Sequence, residues 1–196
     1  MPKKDFEYNY IKKTIRKPLI KRVKPNYKWL LQVGLAALFI SMAFALVSEV
    51  ALPNFGLISG ILIIVLFIVI GFISDIIGVA IMVADIERFH SLAAKKIRGA
   101  KLGIKMIKNK EKVASFSSDV VGDVSGIVSG VAGLIVAEYI ITVTGWSALH
   151  VIVIVTAIIA TITITGKAIC KPYATNLSNH IIYELAKILS YFYKAK

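Results

Sequence analysis

Apolar residues follow one another in two long tracts of this chain, and neither tract contains a lysine or an arginine. The tracts cover residues 29–84 and 119–166. A helix that crosses a membrane needs about 20 mostly apolar residues, so each tract is long enough for two crossings. Pro53 interrupts the first tract and Gly145 the second, because proline and glycine tend to end helices. The pattern predicts four membrane-spanning helices, over 29–50, 56–84, 119–143 and 146–165.

The basic residues are confined to three segments outside the tracts. All 24 lysines and arginines lie in residues 1–28, 85–118 and 167–196. Basic residues stay on the cytoplasmic side of a membrane, and four crossings place all three segments on one side. The two remaining connections carry no positive charge. We therefore expect an all-α, multi-pass protein of the cell membrane with both termini in the cytoplasm.

Composition supports the same class of protein. The chain has 196 residues, of which 57% are hydrophobic, and a net charge of +13. Soluble domains contain roughly 45–50% apolar residues. Cys170 is the only cysteine, which excludes a disulfide framework and a multi-cysteine metal site. No catalytic triad, phosphate-binding loop, dinucleotide-binding glycine pattern or zinc-protease motif occurs, so we predict no enzymatic activity. The basic charge follows the membrane pattern, and no nucleic-acid partner is expected.

Two segments outside the predicted spans have amphipathic helical periodicity. In residues 85–112 and 172–193, apolar residues recur every three or four positions and basic residues fall mostly elsewhere. Such helices commonly lie in the headgroup zone with the apolar face in lipid. The basic tail, residues 1–28, is expected close to anionic lipid as well. Anionic headgroups of the bilayer are thus the predicted partner of all three segments.

The third predicted span contains a glycine series at four-residue spacing. Gly122, Gly126 and Gly130 share one helical face. In lipid, small residues at this spacing let two helix backbones approach closely. The series predicts close packing within the chain, a homodimer contact, or both.

Acidic residues within the spans form the candidate site. Asp75 and Asp123 are costly in a membrane unless they are paired or functional. With Ser74, Ser125 and Ser129 as neutral oxygen ligands, they predict a path for Mg²⁺ or Na⁺, although no cofactor is certain. The alternative is an internal counter-charge: Lys167, at the end of the last span, would neutralise an aspartate without any ion.

An ordered series of short motifs runs through residues 56–193. The residues that carry it are Arg88-Phe89, Leu92-Ala93, Gly99-Ala100-Lys101, Asn109, Glu111, Gly122, Gly126-Ile127-Val128-Ser129-Gly130 and Gly166-Lys167-Ala168-Ile169-Cys170-Lys171. In their order and in the elements around them, they resemble the transmembrane domain of the CNNM/CorC magnesium and cobalt efflux family. The resemblance implies a homodimer that moves a divalent cation. The span 29–50 would be an addition before this domain, and no segment resembles the family's nucleotide-binding CBS domains.

The chain departs from this family at the positions that would bind the cation. The family usually has Ser-x-Ser-Glu in its first span, whereas here Asp75 replaces a serine and Gly78 the glutamate. Asp123 stands in place of an asparagine. In the closing Gly-Glu-x-x-Pro-Lys motif, Lys167 replaces the glutamate and Cys170 the proline. The charge reversal at Lys167, with a gain of negative charge at both aspartates, suggests that a tethered ammonium has replaced the metal.

Three functions follow from these patterns. The first is a divergent CNNM/CorC-like cation transporter with an altered site, and the second is a non-transporting membrane scaffold or regulatory subunit in which Lys167 stands in for the cation. The third is a lipid-interacting protein whose basic amphipathic helices act on anionic headgroups.

Overall fold

A computed structural model describes residues 27–51 and 56–192, and the chain is helical throughout these residues apart from short connections. The helices are α1 (Tyr27–Ala51), α2 (Gly56–Val83), α3 (Ile86–Ala94), α4 (Ala100–Lys108), α5 (Lys110–Ser115), α6 (Asp123–Thr144), α7 (Ala148–Asn176) and α8 (Ser178–Phe192), with a π-helical segment at Phe116–Gly122. The predicted all-α class is confirmed for this part of the chain. Most of the basic tail lies outside the described residues, as do residues 52–55.

Three segments are long and apolar enough to cross a membrane, namely Leu57–Val83, Lys110–Thr144 and Ala148–Asn176. They correspond to the second, third and fourth predicted spans, with different bounds. The described apolar stretch of α1, Tyr27–Ala43, is shorter, so a crossing by residues 29–50 stays a prediction. The chain divides into the units 1–32 and 33–196, and α1 passes from one to the other.

The last two candidate segments are longer than the spans that the sequence pattern predicted. The α7 helix continues past residue 165 to Asn176 and includes Pro172. The predicted span ended at residue 165 because Lys167 follows the tract without basic residues, but the helix continues through that lysine. It also continues through Pro172, although proline lacks an N–H and usually breaks a helix. The other long segment begins at Lys110 because α5, the π-helical segment and α6 follow one another without a loop.

Helices α2, α6 and α7 pack against one another through apolar side chains and glycines. Their shared core contains Ile64, Ile68, Ala132, Val136 and Ile159. A Cβ on Gly133 would collide with Ile159, and one on Gly166 would collide with the ring of Phe72. Small residues thus allow α7 to approach both α6 and α2 closely, as is usual between helices in lipid.

The glycine series of α6 is divided between two environments. Gly122 faces α2, where a Cβ would lie 2.9 Å from Asp75 Oδ1. At Gly126 and Gly130 a Cβ would meet no atom of the described residues within 4 Å. Packing within this part of the chain therefore explains Gly122, but it explains neither of the other two glycines.

The amphipathic helices cover one another beyond the end of α2. One buried cluster joins residues of α2, α3, α4 and α8: Ala80, Ile81, Phe89, Leu102, Met106, Ile107, Ile182 and Ala186. Leu102, Met106 and Ile107 of α4 and Ile182 and Ala186 of α8 are thus buried in protein, whereas Ile188 and Phe192 of α8 are exposed. The prediction that the apolar faces lie in lipid was wrong for the buried residues, because helical periodicity cannot distinguish a lipid surface from a neighbouring helix.

Gly99 allows the turn before α4 to rest on the backbone of α8. Its φ of +86° lies in the left-handed region, and a Cβ would lie 2.9 Å from Lys187 Cα and 2.9 Å from Lys187 N. Both features exclude a side chain. The contact positions the basic α4 helix beside the second half of α8.

We expect Gly99→Ala to lower the free energy of unfolding by about 1–3 kcal/mol, the usual cost of forcing a side chain into such a backbone conformation. Gly34→Ala is the matched control, since no described atom lies within 4 Å of a Cβ at that position in α1. The control should leave stability unchanged or raise it by up to about 1 kcal/mol, as alanine favours a helix. Denaturant unfolding of both variants in detergent measures the difference. Equal stability of the two variants would contradict the assigned turn geometry.

Candidate functional site

A lysine from α7 lies between an aspartate of α2 and an aspartate of α6. Lys167 Nζ is 3.0 Å from Asp75 Oδ2 and 3.5 Å from Asp123 Oδ1. The three charges are far apart in sequence, and each is supplied by a different candidate membrane-crossing segment. The structure thus brings together the two predicted acidic residues and the predicted counter-charge.

Burial differs sharply among the three side chains. The exposed fractions are 12% for Asp75, 21% for Lys167 and 67% for Asp123. A largely buried ion pair is strongly coupled, because removal of one partner leaves the other charge without water or a counter-ion. An exposed pair contributes little. The Asp75–Lys167 pair is therefore the centre of the site, and Asp123 forms its open edge.

Helix length explains why these residues meet at one level. At 1.5 Å per residue, Asp75 lies about 28 Å along α2 from Gly56, and Lys167 lies about 28 Å along α7 from Ala148. Asp123 lies about 31 Å from Thr144 by the same measure. A hydrocarbon core is about 30 Å thick. Each of the three charges therefore lies about one core thickness from the far end of its own helix.

The π-helical segment Phe116–Gly122 shapes the wall beside Asp75. Ser117 Oγ donates a hydrogen bond of 2.8 Å to the carbonyl oxygen of Ser74, and a Cβ on Gly78 would collide with Ser118. Segments of π-helix are rare and often occur at functional sites. Gly122 ends the segment directly against the Asp75 carboxylate. The sequence reveals the small residues here but carries no recognisable signal for the π-helical geometry.

The predicted serine ligands have other hydrogen-bonding roles. Ser125 Oγ donates to the carbonyl oxygen of Val121 at 2.6 Å, and Ser129 Oγ donates to that of Gly126 at 2.8 Å. Both hydroxyl protons are thus used within α6 and the π-helical segment before it. Ser74 is buried, and its carbonyl oxygen accepts the bond from Ser117. These contacts tie α6 and the π-helical segment together and to α2.

The geometry fits an ammonium better than a divalent cation. Among residues 27–51 and 56–192, no group of three or more His, Cys, Asp or Glu side chains is placed to hold a metal ion. Mg²⁺ requires near-octahedral oxygen coordination at about 2.0–2.1 Å. Both aspartates already contact Lys167 Nζ. A metal could bridge them only if the lysine moved away, and its own positive charge would oppose binding.

Comparison of the chain with protein-family models, with curated proteins and with solved structures finds no match. The interpretation of the site therefore depends on the geometry of its own residues.

A double-mutant cycle measures the coupling between Asp75 and Lys167. Lys167→Met should lower the free energy of unfolding by about 3–5 kcal/mol, because it leaves the Asp75 carboxylate buried and unpaired. Asp75→Asn together with Lys167→Met should recover a large part of that loss. Asp123→Asn is the matched control, and its cost should stay within about 1 kcal/mol because that pair is exposed. Additive effects of Asp75→Asn and Lys167→Met would show that the two side chains do not interact.

Proposed function

We propose that this chain is a multi-pass membrane protein of the CNNM/CorC type in which Lys167 replaces the transported cation. In this proposal it works as a non-transporting membrane scaffold or regulatory subunit. The observation that supports the proposal is the position of Lys167 Nζ, within 3.5 Å of carboxylates from two other helices. A transported ion would have to enter and leave that position, whereas a tethered ammonium stays.

The proposed arrangement in the membrane adds a fourth span to the three candidate spans. Residues 29–50 form a fourth crossing, and both termini lie in the cytoplasm. Support comes from the charge distribution, because the segments between crossings are either strongly basic or free of lysine and arginine. Basic segments are retained on the cytoplasmic side. The level of the Asp75–Lys167 pair then corresponds to the cytoplasmic boundary of the hydrocarbon core.

A homodimer is part of the same proposal. A Cβ placed on Gly126 or Gly130 of α6 would meet no atom of the described residues within 4 Å, although such glycines usually serve close helix contacts in lipid. A second copy that packed on this face would also cover the exposed carboxylate of Asp123. Loss of dimer crosslinking in Gly126→Leu would support this contact.

Cation transport is the second candidate function, with Mg²⁺ or Na⁺ as substrate. It is favoured by the charge balance of the site, since two carboxylates and one ammonium leave one negative charge. Asp123, which is 67% exposed, would then be the entry point. Transport would require Lys167 to leave Asp75 during each cycle.

Lys167→Glu separates the two functions, because it would place a third carboxylate beside Asp75 and Asp123. We expect this variant to gain thermal stabilisation by millimolar Mg²⁺, since a ligand that binds the folded state raises its stability. The unmodified protein should show no such gain. Lys167→Gln is the control, because it removes the ammonium without adding a carboxylate.

Flux measurements in liposomes complete the test. The unmodified protein should move neither Mg²⁺ nor Na⁺ along an imposed gradient. Flux that Asp75→Asn abolishes would overturn the non-transporting function and favour transport instead.

A further inference from the structure

The region between α3 and α5 carries an unusual concentration of positive charge. Residues 95–112 contain eight lysines and arginines and one glutamate. Three of the lysines, Lys101, Lys105 and Lys108, are exposed on α4 at helical spacings of four and three. They therefore form one stripe along the helix, which we call the basic stripe.

The opposite face of α4 is buried against other helices of the chain. Leu102, Met106 and Ile107 are buried in the cluster that also contains Ala80 and Ile81 from the end of α2. Because α4 cannot turn this face to lipid without breaking the cluster, the basic stripe stays outward. The same cluster fixes the stripe next to the end of a candidate membrane-crossing helix.

An exposed aromatic surface adjoins the start of the basic stripe. The guanidinium of Arg98 lies 3.7 Å from the ring centroid of Tyr191, and Arg98 Nε donates to Ser190 Oγ at 3.3 Å. Around this contact α8 exposes Ile188, Tyr191 and Phe192, with 88% of Phe192 accessible. Exposed aromatic and aliphatic side chains beside cations are typical of surfaces that enter the membrane interface.

From this juxtaposition we infer that the basic stripe and the exposed end of α8 together bind anionic phospholipid headgroups of the membrane that holds the protein. The inference rests on the proposed membrane function. The charge of the stripe selects an anionic partner. The basic stripe is attached to the end of α2 and lies beside exposed apolar residues. Both features favour lipid over an acidic soluble protein, because a lipid surface also provides an apolar environment for Phe192.

In the test, the purified full chain is mixed with equal amounts of phosphatidylglycerol and phosphatidylcholine in mixed detergent micelles. Native mass spectrometry then measures the ratio of the two lipids retained. We expect enrichment of phosphatidylglycerol on the unmodified protein. Lys101→Gln/Lys108→Gln should reduce that enrichment by about fivefold per charge, the effect expected for a lysine near an anionic surface. Phe192→Ser should reduce total lipid retention without changing the ratio.

Lys101→Arg/Lys108→Arg is the matched control, since it keeps both charges and should keep the enrichment. Equal retention of the two lipids by the unmodified protein, or enrichment that survives the glutamine variant, would overturn the inference. These results are distinct from failure of the proposed membrane function, which would appear as a protein that stays folded and monodisperse without detergent.

Discussion

The arrangement of helices α2, α6 and α7 depends on one ion pair whose two side chains are largely buried. Lys167 and Asp75 are 3.0 Å apart, with only 21% and 12% of their side chains exposed. Either charge alone would be costly at that position, so each makes the other tolerable. The pair connects α7 to α2, and Asp123 adds a weaker, exposed link to α6. This requirement for mutual neutralisation explains why Asp75 and Lys167, which are distant in sequence, lie side by side.

Close helix packing gives the ion pair its geometry. Gly122 places the backbone of α6 against the Asp75 carboxylate, while Gly166 lies against Phe72 one residue before Lys167. Side chains at these glycines would separate the helices and lengthen the ion pair. Small residues therefore have two roles in this bundle. Some hold the charged site closed, whereas Gly126 and Gly130 leave an open face among the described residues.

Much of the architecture could be predicted from the sequence because lipid imposes a simple rule on it. The absence of lysine and arginine from residues 29–84 and 119–166 indicated the long apolar helices, and a counter-charge role of Lys167 was one of two alternatives, beside a path for a cation. The end of α7 was placed too early, because the boundary was set by the first lysine after the apolar tract, whereas the helix continues to Asn176. The amphipathic helices were assigned to lipid because periodicity identifies an apolar face without identifying its neighbour. The π-helical segment before Asp123 leaves no sequence pattern that would reveal it.

The most direct test of the account is an experimental structure of the protein in a bilayer mimetic with millimolar Mg²⁺. We predict Lys167 Nζ within hydrogen-bonding distance of carboxylate oxygens from both Asp75 and Asp123, with no metal between them. The contradictory result would be an ion bound at about 2.1 Å from those oxygens, with the lysine side chain turned away from the site.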